Sequence, residues 1–462
     1  MTNPGPTEVS PASFRDPSGF VFFRDGTVFR QVNRSYREDY DRLMESGLYR
    51  ELVDAGRLVA HEETDEPAEK PDIAYRVLKP EPVPVISYPY EWSFSQLKDA
   101  ALATLATQQQ ALEHGMSLKD SSGYNIQFLR GRPVLIDTLS FERYREGEPW
   151  VAYRQFCQHF LAPLALMSRR DVRLGQLLRV YIDGVPIDLA SRLLPARTRW
   201  GLGLATHIHL HARTQRRYAD RQAKPQRRRV TKLAMTGILR SLERTVRGLD
   251  WRPKGTEWAE YYDETNYSDD AFRDKRDIVG RFLDRVKPDV VWDLGANTGA
   301  FSRLAADRGV LTVSFDIDPA AVEKNYLDCR ERGEENILPL VLDLTNPSPA
   351  IGWENEERMA VRERGPADLV LALALVHHLA ISNNLPLPKV ARFFSHVGST
   401  LVVEFVPKSD SQVRRLLSTR EDIFPDYTKE AFEESFRQRF DILESVPVEG
   451  SERTVYLMAR RG

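Results

Sequence analysis

Val290-Val291-Trp292-Asp293-Leu294-Gly295-Ala296-Asn297-Thr298-Gly299-Ala300-Phe301 begins as an apolar run, turns on two glycines and continues into Ser302-Arg303-Leu304-Ala305-Ala306. The pattern predicts a buried strand, a tight loop and a helix, in that order. Gly295 and Gly299 stand where the backbone must turn sharply and let a ligand approach. The first turn of the following helix leaves amides without intrahelical partners, a seat for an anionic group. A glycine loop alone does not decide a fold. Its sequel does.

Four more apolar runs follow, separated by helical segments, the signature of an open and mainly parallel α/β sheet. Leu311–Phe315 ends in Asp316-Ile317-Asp318-Pro319, and Ile337–Leu342 ends in Asp343-Leu344. Asp368–Ala374 runs into Leu375-Val376-His377-His378, and Thr400–Phe405 carries Glu404. A closing hairpin is expected from Phe440–Leu443 and Thr454–Met458. Ligands of such sheets sit beyond the carboxyl ends of the strands, where Asp293, Asp316, Asp343 and Glu404 collect. An acid about twenty residues after a glycine loop suits a ribose, whose two hydroxyls can donate to one carboxylate. A nicotinamide site shares that logic, but its G-x-G-x-x-G fingerprint differs from Asp293-Leu294-Gly295-Ala296-Asn297-Thr298-Gly299.

Taken in order, these segments resemble the class I S-adenosylmethionine-dependent methyltransferase family over residues 251–462. The resemblance implies a Rossmann-like sheet, mostly parallel with a reversed last strand, and S-adenosyl-L-methionine as cofactor. Asp293, Gly295, Asn297, Thr298 and Gly299 are similar to the family's first motif, and Asp316 to its ribose-binding acid. Asp343 and Leu344 resemble the pair that reads and stacks against the adenine. The stretch from His377 to Asn384, with Glu404-Phe405-Val406-Pro407-Lys408, is similar to a bacterial subgroup in which some members carry nodulation-related names. The loop holds no basic residue and opens on an acid, so a pyrophosphate fits poorly. An amino-acid moiety fits better, with loop amides meeting its carboxylate and Asp293 organising the methionine end.

The implied chemistry is direct methyl transfer to an aligned nucleophile, where positioning can contribute on the order of 7–11 kcal/mol. A hydroxyl acceptor also needs its proton removed. His377 or His378 could take it, since imidazole titrates near neutral pH, and Glu404 is the alternative base. The fourth strand continues as Ala372-Leu373-Ala374-Leu375 rather than Asn-Pro-Pro-Tyr. With a net charge of −2, this argues against DNA-base methylation; the leading reading is a hydroxyl, or other heteroatom, of a small molecule, glycan or natural product. RNA stays open as an acceptor, because a basic segment described below could reach phosphates.

At 462 residues the chain calls for more than one domain. No apolar run reaches the ~20 residues of a membrane span. Two distant cysteines, Cys157 and Cys329, form no disulfide or zinc framework, which suits a cytoplasmic protein. Residues 1–18 read as a flexible tail.

Strands are expected at Gly19–Phe23 and Thr27–Val32, joined by an Asp-Gly turn, with a helix from Tyr36 to Arg57 and another from Phe94 to His114. Next come Asp120, Asn125 five positions on, and Asp137 after a Gly131 turn. Across residues 19–212 this resembles the protein-kinase-like fold, closest to its aminoglycoside-phosphotransferase branch, and implies an α+β domain. The three residues match that family's base and two metal ligands. No glycine-rich phosphate loop precedes the first expected strand, Arg30 takes the lysine position, and Thr138-Leu139 follow Asp137. The domain therefore reads as a non-catalytic binding or scaffolding module that could hold a protein partner, with phosphotransfer as the alternative. His207, His209 and His211 lack a further ligand type nearby and read as core or solvated histidines rather than a metal site. Residues 213–250 read as a basic linker and helix, with Arg213 to Arg229 carrying a single acid, Asp220.

Overall fold

The computed structural model describes residues 7–214, 229–253, 269–418 and 421–462. The aromatic stretch Trp258–Tyr267 and most of the basic run, residues 215–228, lie outside the described residues. The chain divides into two compact units, Met1–Arg252 with Ile351–Arg358, and Pro253–Ala350 with Met359–Gly462.

The first unit opens with a five-stranded antiparallel sheet in the order β1-β2-β3-β5-β4. Its strands are β1 (Thr7–Val9), β2 (Gly19–Arg24), β3 (Thr27–Asn33), β4 (His61–Thr64) and β5 (Ala74–Pro80). Asp25 and Gly26 turn β2 into β3 with φ of 50° and 74°, the left-handed pair that a two-residue hairpin requires. β1 replaces part of the expected loose tail, because Thr7 to Val9 pair with Phe22 to Arg24. The single helix expected from Tyr36 is two, α1 (Arg37–Glu45) and α2 (Leu48–Asp54), broken at Gly47 with φ 81°. Below lies α3 (Phe94–Glu113), started by a capping box in which Ser93 and Gln96 exchange hydrogen bonds. The short pairs β6 (Met116–Leu118) with β9 (Phe141–Arg143) and β7 (Ile126–Leu129) with β8 (Arg132–Leu135) hold the Asp120 to Asp137 segment. This sheet, helix and paired-strand series is an antiparallel α+β arrangement.

Short helical pieces follow between Tyr153 and Leu210, and then α4 (Lys232–Arg247). α4 was expected in a linker, yet it packs inside the first unit. Lys98 Nζ donates to Leu249 O at 2.7 Å, and His207 Nε2 pairs with Ser241 Oγ at 2.9 Å. The other ring nitrogen of His207 meets Tyr153 Oη at 2.8 Å, and His209 bridges Ser191 and Thr198.

The second unit is a seven-stranded sheet, ordered β12-β11-β10-β13-β14-β16-β15. Its strands are β10 (Val290–Leu294), β11 (Leu311–Asp316), β12 (Ile337–Val341), β13 (Ala367–Ala372), β14 (Gly398–Phe405), β15 (Phe440–Pro447) and β16 (Thr454–Arg460). The pairs from β12 through β14 are parallel, and β16 alone runs against its neighbours β14 and β15. Strands covered on both faces need near-continuous apolar runs, which is what Val290–Leu294 and Ala367–Ala372 supply. One side is covered by α5 (Asp269–Val286) and α6 (Ala300–Ala306), where Ile278, Val279, Phe282, Leu283, Phe301 and Leu304 pack on Val291, Leu369 and Leu371. α7 (Pro319–Arg332), α8 (Leu387–Val397), α9 (Ser411–Leu417) and α10 (Lys429–Arg437) complete the unit. With strand 1 central, a 3-2-1-4-5-7-6 order and strand 7 reversed, this is the class I methyltransferase fold. Among the described residues, no helix is long and apolar enough to cross a membrane.

Candidate functional site

The site forms where β10, β11, β12 and β13 end together. The loop after β10 is held from within. Gly295 and Ala296 both donate to Phe315 O, Asn297 N donates to Asp316 Oδ2 at 2.8 Å, and Thr298 N donates to Asn297 Oδ1. Gly299 N reaches Ala296 O. Every amide from 295 to 299 is thus committed, which corrects the expectation that they would meet a ligand carboxylate. The glycines serve shape instead. Gly299 has φ 82°, and a Cβ there would come within 2.7 Å of the Asn325 side chain. Gly295 has φ 78° and lies against Leu375.

Asp293 is buried at the end of β10 and accepts the Ser302 hydroxyl at 2.6 Å; Ser314 in turn donates to Ser302. Its carboxyl is pushed up to about 6, first by burial and further by the Asp316 charge, with Ser302 and Lys275 opposing. Asp293 therefore organises the loop and the start of α6. Asp316, also pushed up to about 6 by burial, accepts the amides of Asn297 and Asp318. A carboxylate offers about four acceptor positions, so ribose hydroxyls still have room. Beside it Ile317 is 55% exposed at a strand end, an apolar shelf that the sequence reading passed over. The signal was there: a large aliphatic between two acids. Asp343 is half-buried and accepts both the amide and the hydroxyl of Thr345, and half-buried Leu344 follows it.

The expected bases lie elsewhere than in open solvent. His377 is fully buried, and neither ring nitrogen has a hydrogen-bond partner among the described residues. Burial holds its pKa well below the usual imidazole range, aided by His378, Arg453 and Lys275. Half-buried His378, its ring 4.1 Å from that of His377, is lowered to about 4 by burial and Arg453. Both rings are neutral at pH 7 but weak as bases, contrary to the near-neutral titration expected of them. Glu404 is not an open base either. It is fully buried, and its Oε2 accepts Lys275 Nζ at 2.5 Å and Ala374 N at 2.7 Å.

The donor set fits S-adenosyl-L-methionine. Gly295 and Gly299 shape a tight loop at the strand ends, Asp316 suits a ribose, and Ile317 and Leu344 offer apolar surface.

No protein-family model matches the chain. Over 469 aligned residues it is 38% identical to nodulation protein NoeA of Rhizobium meliloti (strain 1021), covering 99% of this chain and 97% of the relative. The chain belongs to the NoeA family. Solved structures are more distant. An S-adenosylmethionine-dependent methyltransferase from Clostridium acetobutylicum is 13% identical over 44% of this NoeA-family chain and 96% of its own, with a TM-score of 0.32. The N-methyltransferase NodS of Bradyrhizobium japonicum is 13% identical over 42% and 99%, at 0.30. The bifunctional kinase-methyltransferase WbdD is 18% identical over 43% of this chain and 41% of its own, at 0.29. At such scores the fold assignment of the second unit rests on its strand order.

In the first unit the structure brings Asp120, Asn125 and Asp137 together, but with a cation already among them. Arg30 from β3 pairs with Asp137 Oδ1 at 2.5 Å, both side chains being about as buried as each other at 15% and 14% exposure. Asp137 Oδ2 accepts Ser140 Oγ, to which Asn125 Nδ2 also donates. Asp120 accepts the Ser122 amide, and burial raises its pKa. Between β1 and β2, where a phosphate loop would run, Asp16 and Ser18 instead reach Lys119 beside Asp120.

Proposed function

We propose that this protein is an S-adenosylmethionine-dependent methyltransferase that methylates a hydroxyl, or another heteroatom, of a small molecule or glycan. The observation that carries the reading is the meeting of Asp316, Ile317 and Asp343 with a loop shaped by Gly295 and Gly299 at the carboxyl ends of parallel strands. The cofactor supplies an electrophilic methyl group on a sulfonium. Asp316 holds the ribose, Ile317 and Leu344 flank the adenine, Asp343 accepts from its amino group, and Asn297 and Thr298 shape the loop. Asp293 fixes the start of α6 through Ser302. The loop from Ala374 to His378 faces the acceptor, and half-exposed His378 is the imidazole that an acceptor can reach. Because both imidazoles are weak bases, alignment of the acceptor carries most of the rate. The name of the relative adds nodulation as the setting we propose for the product. A cytoplasmic location goes with a cofactor made there.

The first unit is proposed as a binding or scaffolding module for a protein partner. Arg30 neutralises the acid that a metal would need, which disfavours phosphotransfer through Asp120, Asn125 and Asp137. RNA is the weaker acceptor reading.

Calorimetric titration with S-adenosylmethionine and S-adenosylhomocysteine tests the cofactor, with saturable binding expected and no heat refuting it. Transfer of a radiolabelled methyl group, compared between the small-molecule, glycan and RNA fractions of cells, tests the acceptor. Label in RNA alone would overturn the small-molecule reading.

A further inference from the structure

Behind the loop from Ala374 to His378 lies a cluster of four charges, none of which the proposed chemistry uses directly. Lys275 on α5 is 3% exposed, Glu404 near the end of β14 is 0% exposed, and Arg453 just before β16 is 5% exposed. Lys275 Nζ donates to Glu404 Oε2 at 2.5 Å and lies 4.9 Å over the Phe301 ring. Arg453 approaches Glu404 Oε1 at 3.6 Å and donates through Nε to Asp410 Oδ2 at 2.8 Å, next to the start of α9. Two cations face two carboxylates, so the formal charges cancel.

The telling bond is the remaining one. Glu404 Oε2 also accepts the amide of Ala374, and Ala374 has φ 50° without being a glycine. A left-handed alanine costs on the order of 1–2 kcal/mol and persists only where its surroundings impose it. The next residue, Leu375, is the one that lies against Gly295 of the cofactor loop, and Leu375 O accepts the amide of His378. Glu404 is therefore joined through one backbone amide to both the glycine loop and the histidine segment.

We propose that Glu404 is a positioning residue, packed between Lys275 and Arg453, whose side-chain oxygen sets the backbone turn at Ala374 by accepting its amide and thereby sets the cofactor affinity of the Gly295 loop. This rests on the methyltransferase reading for its effect on binding, but not for its effect on the turn. Buried ion pairs contribute little net stability after desolvation, so a role in holding one conformation accounts for the cluster better than a role in stability.

The test compares Glu404→Ala with the double variant Glu404→Gln, Lys275→Met in the full chain. The glutamine oxygen can still accept from Ala374 N, and removing Lys275 avoids an unpaired buried ammonium. S-adenosylhomocysteine is the probe. Glu404→Ala should weaken its binding about tenfold or more, the size expected for losing a hydrogen bond to a charged acceptor, while the double variant stays within about threefold of the unaltered chain. Hydrogen exchange of the segment 370–378, read without ligand, should show faster exchange in Glu404→Ala and near-normal protection in the double variant. Equal loss of affinity in both variants, or unchanged exchange in Glu404→Ala, overturns the proposal. If the unaltered chain fails to bind S-adenosylhomocysteine, the methyltransferase reading falls, and the exchange comparison still decides the role of Glu404. Should Glu404→Ala fail to fold, the double variant decides: near-normal affinity and protection support the proposal, and loss of both refutes it.

Discussion

Replacing Asp293 with asparagine should change how the stability of the second unit depends on pH, in a direction fixed by the burial of that one carboxyl. Asp293 is 2% exposed and titrates at about 6 in the folded chain, against an ordinary value of 3.8. A raised folded pKa means that the native state holds more protons than the unfolded state between about pH 4 and 6. Stability therefore falls as pH rises through that window and levels off above it. Taking the two values at face, the loss between pH 5 and pH 8 is about 1.4 kcal/mol, or tenfold in an opening equilibrium. Asparagine carries no such charge and can still accept the Ser302 hydroxyl. Its amide group brings a penalty of about 1–3 kcal/mol if it finds no acceptor, but that offset is the same at both pH values and cancels from the comparison. The measurement is hydrogen exchange of residues 290–294, corrected for intrinsic rates, in the unaltered chain and in Asp293→Asn. On going from pH 5 to pH 8, the unaltered chain should lose about tenfold more protection than the variant. Parallel behaviour of the two chains would refute the reasoning, because it would mean that the Asp293 charge is already well solvated.

Three further outcomes are expected. Gly299→Ala forces a side chain into a φ of 82° and within 2.7 Å of Asn325, so S-adenosylhomocysteine affinity measured by calorimetry should fall at least about tenfold, from strain alone. With Asp293 and Asp316 both raised to about 6, affinity should be level above pH 7 and fall below pH 6, where protonation removes the ribose acceptor; a flat profile from pH 5 to 8 would count against Asp316. Arg30→Met leaves Asp137 without its cation and should destabilise the first unit by about 3–5 kcal/mol in urea unfolding, while the unaltered chain shows no heat with magnesium and ATP. Tight binding of magnesium-ATP would overturn the non-catalytic reading.

The site shows a consistent division of labour among its acids. Asp316 keeps acceptor capacity at a strand end, whereas Asp293 and Glu404 spend theirs inward, on Ser302 and on Lys275 with Ala374. Residue type alone does not separate these roles. Burial and partner do.

By itself the sequence determined the sheet. Apolar runs ending in Asp293, Asp316 and Asp343 could only be strands covered on both faces, and strands of that kind with helices between them give a parallel α/β sheet with its acids at one edge. The glycine loop was legible for the same local reason, since Gly295 and Gly299 mark turns that other residues resist. What the tertiary structure decided is everything that depends on partners distant in the chain. The loop amides looked available and are all bonded. His377 and His378 looked like near-neutral bases, and burial beside Arg453, remote in sequence, makes them weak. Glu404 looked like a base and lies under Lys275, 129 positions away. Arg30 read as a departure at the lysine position, and only the fold sets it on Asp137. Local pattern fixes where the backbone goes, because propensity and hydrophobic period act over a few residues. Charge state and free hydrogen-bonding capacity depend on desolvation and on the nearest opposite charge, and in this chain those come from elements that meet only once it has folded.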